Sequence, residues 1–360
     1  MAQKGLDMIT LYPHRLASDY KRWSALLKRS GIRPETSVED VYGLEVDDAL
    51  IATASLDHNI IKCVAIDEAY QGGAAFHELL SGVLSVLYQR GITHMFVYTK
   101  PDAARSFEAL GFSELERVDE TLVFMERPAG RFQKYLHQLS PATEGPSGAI
   151  VMNANPFTNG HLSLIERALH DVNSLHVFVV SEDASVFPAI IRQELVAAAV
   201  GNRPEISLHE TASYLVSAAT FPSYFLPERA DVTRVQARLD ARLFRRHIAP
   251  VLNLTHRFVG EEPLSPITAT YNAVMAEVFS APDAAPPLKL MILPRLEADG
   301  APISASTVRQ LLAEGKMDDV AALVPPTTLA FLRSDRAKPI LKALKNDPLH
   351  EQKPADARRL

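Results

Sequence analysis

One cysteine, Cys63, stands in a chain of 360 residues. A lone thiol closes no intramolecular disulfide and builds no cysteine-based zinc cluster. Long apolar runs are missing too. The first residues mix Lys4, Asp7, His14 and Arg15 with short apolar pieces, which gives neither a secretory leader nor a membrane-spanning helix. A soluble, cytoplasmic protein with no membrane partner is therefore expected. Neither sign of charge is in large excess: 37 Lys and Arg against 43 Asp and Glu leave a net charge of -6, so no nucleic-acid partner is implied. There is no lysine-bearing P-loop, no zinc-ligand spacing and no hydrolase nucleophile elbow. The length suits two or three domains, each burying its own core.

What the chain does have is a strand, loop and helix pattern centred on Thr158-Asn-Gly-His161. Ala149 to Met152 is an apolar run of strand length, Asn153 to Asn159 is rich in turn formers, and Leu162, Ile165, Glu166 and Leu169 recur at helical spacing. Such a loop aims helix N-terminal N–H groups above a sheet, where they favour an anion such as phosphate. Gly160 allows close backbone approach, and Thr158 and His161 add a hydroxyl and an imidazole. Far downstream, Ile303-Ser-Ala-Ser-Thr-Val-Arg309 reads as a hydroxyl-rich helix start with a guanidinium one turn inside, a second phosphate clamp. Each stretch alone also fits a plain capped helix with a solvated His or Arg. Together they point to a polyphosphate.

Thr158-Asn-Gly-His161 resembles the T/H-x-G-H signature of the nucleotidyltransferase superfamily, and Ile303 to Arg309 resembles its I-S-S-T-x-x-R partner. Longer strings narrow the resemblance: Asn153-Ala-Asn-Pro-Phe-Thr158, Ser181-Glu-Asp-Ala-Ser-Val-Phe-Pro188, Ala219-Thr-Phe-Pro-Ser-Tyr-Phe225, Phe244-Arg-Arg-His-Ile-Ala-Pro250, Thr255-His-Arg-Phe-Val-Gly260 and Thr268-Ala-Thr-Tyr-Asn272. With these, nearly the whole chain is similar to the citrate lyase ligase family. The resemblance implies ATP and Mg²⁺, activation of acetate as acetyl adenylate with release of pyrophosphate, and transfer of the acetyl group to a thiol on the citrate lyase acyl carrier subunit. It also implies roles. His161 and Thr158 would contact the α- and β-phosphates, and Ser306, Thr307 and Arg309 the β,γ end. Asn155, Pro156, Phe157, Gly160 and Ser304 would complete the nucleotide loops, with no protein residue assigned to metal. The chain departs from the family pattern at Ser181, where Lys is usual, and at Val186 and Ala218, where Arg is usual. Those departures keep open a catalytically impaired nucleotide-binding scaffold; the alternative among enzymes is another nucleotidyltransferase making a nucleotide cofactor from a phosphorylated acceptor, which would want more cations than this chain offers.

The expected fold class is α/β: an acetyltransferase-like α+β domain over 1–130, a linker over 131–147 with a short helix from Arg131 to Leu139, a Rossmann-like parallel-sheet adenylation domain over 148–335, and a loose basic tail over 336–360. The front domain, ending in Ser106-Phe-Glu-Ala-Leu-Gly-Phe112, resembles GCN5-related N-acetyltransferases. In that family a glycine-rich loop cradles the pyrophosphate of acetyl-CoA, and Gln71, Gly72 and Gly73 stand at that place here. Ala74 and Phe76 replace small residues of the cradle, so a docking or stabilising role is preferred. Of the remaining singled-out residues, Glu182 and Asp183 either hold Mg²⁺ or close a turn. His94, His176 and His209 read as core or rim, His247 and His256 as surface or packing, Arg245 and Arg246 as a solvated helix face, and Cys63 as core.

Overall fold

The structure is a computed structural model that describes residues 7–35, 38–139, 145–181, 185–215, 221, 223–226, 231–261, 266–282, 285–298 and 300–346. Glu182, Asp183, Ala218, residues 140–144 of the linker and the chain after Asn346 lie outside the described residues. Two compact units are present, Met1–Gln138 with Phe221–Leu239 and Leu139–Thr220 with Asp240–Leu360. Among the described residues no helix is long and apolar enough to cross a membrane.

The first unit is built on seven strands, β1 (Met8–Leu11), β2 (Asp40–Val46), β3 (Ala49–Asp57), β4 (Ile60–Ile66), β5 (Met95–Thr99), β6 (Ser113–Val118) and β7 (Leu122–Arg127). Their order is β1-β2-β3-β4-β5-β7-β6. Only β4 and β5 run parallel; all other neighbours are antiparallel. Asp47 and Asp48, both at positive φ, turn β2 into β3, as expected of a two-residue hairpin. The helix Ala75–Gln89 packs on β2 and β3 and the helix Ala17–Arg29 on β3 and β4, so β3 is buried along nearly its whole length. Leu79, Leu80, Val83, Leu84 and Leu87 form the core stripe of the first of these helices. β1 and β6 are not anticipated from the sequence. Both are edge strands, and β6 carries Glu114, Glu116 and Arg117, the charge that edge strands use against unwanted pairing.

The second unit is the parallel, doubly wound sheet that the alternation of strands and helices implies. Its strands are β8 (Ser147–Met152), β9 (Ser174–Val179), β10 (Ile206–Glu210), β11 (His256–Gly260) and β12 (Lys289–Leu293). All pair in parallel in the order β10-β9-β8-β11-β12. The direction of winding reverses between β8 and β11, which opens a crevice at their C-terminal ends, the usual ligand position in such sheets. On one face Ile150, Leu175, Val177 and Phe258 pack with Ile165 and Ala168 of the helix Asn159–Ala168 and Leu195 and Val196 of the helix Ala189–Val200. Val308 and Leu312 of the helix Ala305–Ala313 join the same core.

Two expectations are corrected here. The tail does not begin at Arg336: Lys338–Asn346 is a helix, with Ile340 and Leu344 buried in the core of the second unit. Apolar residues at one-turn spacing outweigh the basic charge around them. Arg245 is not solvated but 2% exposed. Its guanidinium donates to the carbonyls of Val278, Ala281, Ala285 and Pro286, and so satisfies orphan acceptors where the helix Pro266–Ser280 ends. Arg246 is exposed as expected.

Candidate functional site

β8 and β11 approach each other closely at the reversal. A Cβ on Gly148 would stand 2.5 Å from the Phe258 ring, so only glycine fits there. Beyond β8 the chain turns through Ala154, at φ 51, a left-handed conformation that a non-glycine residue holds only when its surroundings enforce it. Arg192 supplies much of that enforcement. It is 0% exposed. Its Nη1 donates to Asn153 O at 2.9 Å, Asn153 Oδ1 at 2.8 Å and Val180 O at 2.6 Å, and its Nε to Phe187 O at 2.9 Å. One guanidinium thus joins the residues that follow β8 and β9. No motif singles out Arg192, but a signal existed: it lies three and four residues from Leu195 and Val196, a cation on the apolar face of its helix.

Thr158 is the N-cap of the helix Asn159–Ala168 and forms a reciprocal capping box with His161. The Thr158 N–H donates to His161 Nδ1 at 3.0 Å, the two side chains meet at 2.9 Å, and the His161 N–H approaches Thr158 Oγ1 at 3.4 Å. Because Nδ1 accepts, the ring proton belongs on Nε2, which makes His161 a directed donor. Burial and then the charge of Arg295 push the imidazole down to about 4, so it is neutral near pH 7. Phe157, fully buried, stacks against the ring with centroids 5.5 Å apart. Thr158 is 1% exposed and its hydroxyl is used inside the cap. Its geometry is that of a residue that positions His161 rather than one open to a ligand.

The first turn is also less open than the sequence suggests. The Asn159 N–H donates to Leu323 O at 2.9 Å and its side chain to Ala322 O at 3.0 Å. Among the described residues, the Gly160 N–H is left as the unpartnered donor of that turn. A Cβ at Gly160 would lie 3.1 Å from Ile303 O, which brings the second stretch directly against the first.

That second stretch forms the helix Ala305–Ala313. Ser304 caps it, accepting from the Thr307 N–H at 3.0 Å and meeting Thr307 Oγ1 at 2.8 Å. Arg309 turns back across the gap: Nη1 donates to Asn155 O at 2.6 Å and Nη2 to Ser306 Oγ at 3.2 Å. Asn155 Oδ1 in turn accepts from the Phe187 N–H at 3.1 Å. Two motifs about 150 residues apart in the chain are therefore one constellation. Ser306 and Thr307 are exposed and Arg309 half-buried, while Asn155, Pro156 and Phe157 are buried and shape the loop from beneath.

Among the described residues, the departing positions Ser181 and Val186 bring no cation to the crevice. Ser181 donates its N–H to Thr211 Oγ1 at 3.0 Å, and Val186 packs on the core. Among the described residues no group of three or more His, Cys, Asp and Glu comes together as a metal site.

In the first unit, β4 and β5 pair only at Ile60 with Phe96 and Ile61 with Val97 and then diverge around a cleft of about 410 Å³. Gln71, Gly72 and Phe76 line it. Gln71 spends its amide on Ile66 O at 3.3 Å, and Gly72 and Gly73 precede the helix Ala75–Gln89. Tyr224 and Phe225 line the same cleft, held by Arg33, which donates to Tyr224 O at 2.9 Å and Ser223 O at 2.7 Å. Cys63 is buried and its thiol is pushed up to about 12, chiefly by burial, so it is an unreactive core residue. His176 and His209 meet at 2.8 Å in the second unit, away from the capping box, with His176 only 1% exposed.

Residues 147–332 match the family model described as the citrate lyase ligase C-terminal domain. Over 331 residues the chain is 39% identical to the citrate (pro-3S)-lyase ligase of Klebsiella pneumoniae, covering 91% of this chain and 95% of the relative. The ligase of the same name from Escherichia coli K12 is 40% identical over 311 residues, 86% and 88% of the two chains. That of Haemophilus influenzae is 37% identical over 326 residues, 89% and 97%. Solved structures similar to part of the chain include Escherichia coli ElaA, at 16% identity and a TM-score of 0.30 over 34% of this chain and 99% of that one. The ribosomal-protein-S18-alanine N-acetyltransferase of Escherichia coli matches at 16% identity and a TM-score of 0.29, over 34% and 92%.

Proposed function

The chain belongs to the citrate lyase ligase family, and from that premise we propose that it activates acetate with ATP and passes the acetyl group to the thiol of the citrate lyase acyl carrier subunit, in the cytoplasm. Acetate is a poor acyl donor because an oxide would have to leave. A carboxylate oxygen attacks the α-phosphorus of ATP, the bond to the β-phosphate breaks and pyrophosphate departs. The carrier's thiolate then attacks the acetyl carbonyl, and AMP leaves with the bonding electron pair. No protein nucleophile is required; the protein aligns reactants and stabilises charge on phosphoryl oxygens.

The observation that carries this reading is the bond from Arg309 to the Asn155 carbonyl at 2.6 Å, which closes the two phosphate stretches into one site around His161. In that site the Nε2–H of neutral His161 and the Gly160 N–H donate to the α- and β-phosphate oxygens, and Arg309 with Ser306 and Thr307 receives the β,γ end. Thr158 holds the His161 tautomer that makes the donation possible. When bound with the triphosphate, Mg²⁺ would neutralise charge on its oxygens; with no group of three or more His, Cys, Asp and Glu among the described residues to hold it, the ion would be held mainly by phosphate and water. The names of the relatives favour this ligase over a cofactor-making nucleotidyltransferase or a scaffold.

The test is acetate-dependent exchange of labelled pyrophosphate into ATP. Exchange that needs acetate and falls by about 10²–10³ in His161→Ala is expected, with a comparable loss in Arg309→Ala. Nucleotide binding without exchange, with the carrier thiol also present, would overturn the reading in favour of a scaffold.

A further inference from the structure

We propose that Arg257 is the cationic floor of a buried site for one small monovalent anion, of acetate or chloride size, on the face of the second sheet opposite the His161 helix. Arg192, Arg245 and Lys62 are buried too, but each is satisfied: Arg192 by four bonds, Arg245 by four carbonyls, and Lys62 by Asp57 at 2.6 Å and Glu35 at 3.4 Å. Arg257 is not. It is 8% exposed, its Nη1 is buried without a partner, and among the described residues it makes no hydrogen bond and no ion pair. Its guanidinium lies over the Phe244 ring, 4.5 Å from the centroid. A ring face attracts a guanidinium but gives the N–H groups at its edge no acceptor. A cation buried in this way is costly unless an anion joins it.

Strand alternation and register place the walls. Arg257 alternates with Phe258, which packs in the core with Ile165, so its own side chain leaves the other face of the sheet. Beside it in register stand Ala149 of β8 and then His176 of β9. Ala149 puts only a methyl group between the guanidinium and the imidazole. His176 is 1% exposed, and its Nε2 is likewise buried without a partner, while its Nδ1 meets His209 Nε2 at 2.8 Å. With His209 donating in that bond, His176 presents an N–H at Nε2. Phe244 covers the row, since its ring also meets Phe178, two residues along β9, at 6.1 Å. Asp240 acts on the charge of Arg257 but does not neutralise it. Burial raises its carboxyl to about 8, so near pH 7 most of it is protonated, whereas Arg257, lowered by burial to about 9, stays charged. One cation, one neutral imidazole and apolar walls suit a single negative charge on a small body; a phosphate carries more charge than these groups offset.

The experiment melts the full chain at neutral pH and constant ionic strength, with sodium gluconate, whose anion is too bulky for the site, replaced stepwise by sodium chloride or sodium acetate. The wild-type melting temperature is expected to rise saturably, by about 3 °C or more. The chloride and acetate arms tell a halide from a carboxylate occupant. Arg257→Met should lose the response and melt in gluconate no lower than wild type, because an apolar side chain of similar volume costs less than a buried unpaired charge; Arg257→Lys should keep part of the response. Crystals grown with bromide should show its anomalous signal beside Arg257 Nη1, a readout that stands even if Arg257→Met fails to fold. Equal melting temperatures in all three salts would mean that the two nitrogens meet water only, and would overturn the proposal, as would an Arg257→Met protein that keeps the full response. No ATP is present in the melts, so their outcome is separate from that of pyrophosphate exchange.

Discussion

At the scale of single residues, His161 acts through its protonation state. A neutral imidazole with Nδ1 accepting the Thr158 N–H can offer only the Nε2–H outward, and burial keeps it in that state. The pH profile of pyrophosphate exchange should therefore show no break from His161 near 6.5, the ordinary histidine value, and lose activity only on approach to pH 4. A kinetic break near 6.5 that disappears in His161→Gln would contradict this. Arg192 makes the complementary point. Its four bonds decide where Asn153 and the loop begin, yet nothing local in the sequence assigns them, because its partners, three main-chain carbonyls and the Asn153 side-chain oxygen, come from three separate segments.

At the scale of elements, the capping box turns a helix terminus into part of the site. Thr158→Ala should cost about 1 kcal/mol of stability, typical of a lost N-cap, and should reduce kcat by more than that stability loss accounts for, because His161 loses the bonds that set its tautomer. Thr158→Ser should recover both; urea unfolding and exchange kinetics on the same preparations check it. The last described helix, Lys338–Asn346, tests how far the core extends. Leu344→Ala should destabilise the protein by about 2–5 kcal/mol, as for other buried leucines, whereas a loose tail would give no change in the denaturation midpoint. Most helices and central strands were legible in the sequence because their apolar residues recur at 3.6 or run continuously. β6 was not, since its exposed edge carries Glu114 and Arg117, and β1 was not, because it is only four residues long.

For the whole molecule, acid stability follows from buried imidazoles. His161, His176 and His209 are each pushed down to about 4, first by burial. In the unfolded chain they bind protons near 6.5. Between about pH 6.5 and 4 the unfolded state binds more protons, so their contribution is complete above 6.5 and lost as pH falls through 4. Asp240 opposes them. Burial raises its carboxyl, so its contribution weakens as pH rises above the ordinary carboxylate range. Between about pH 6.5 and 4 one group against three leaves a net loss of stability on acidification, which urea midpoints measured over that window should show. A flat or rising midpoint over that window would contradict the lowered imidazoles of the three histidines.

The sequence by itself determined the α/β class, the parallel sheet, the two phosphate stretches and the family, because periodicity, turn chemistry and short motifs are local properties of the chain. Only the tertiary structure decided what those stretches do to each other. The Arg309 bond to Asn155 and the closing of the first helical turn by Ala322 and Leu323 join residues distant in sequence. Such contacts depend on the reversal between β8 and β11, which folds five separate segments over one pair of strand ends, and no local pattern encodes the resulting distances.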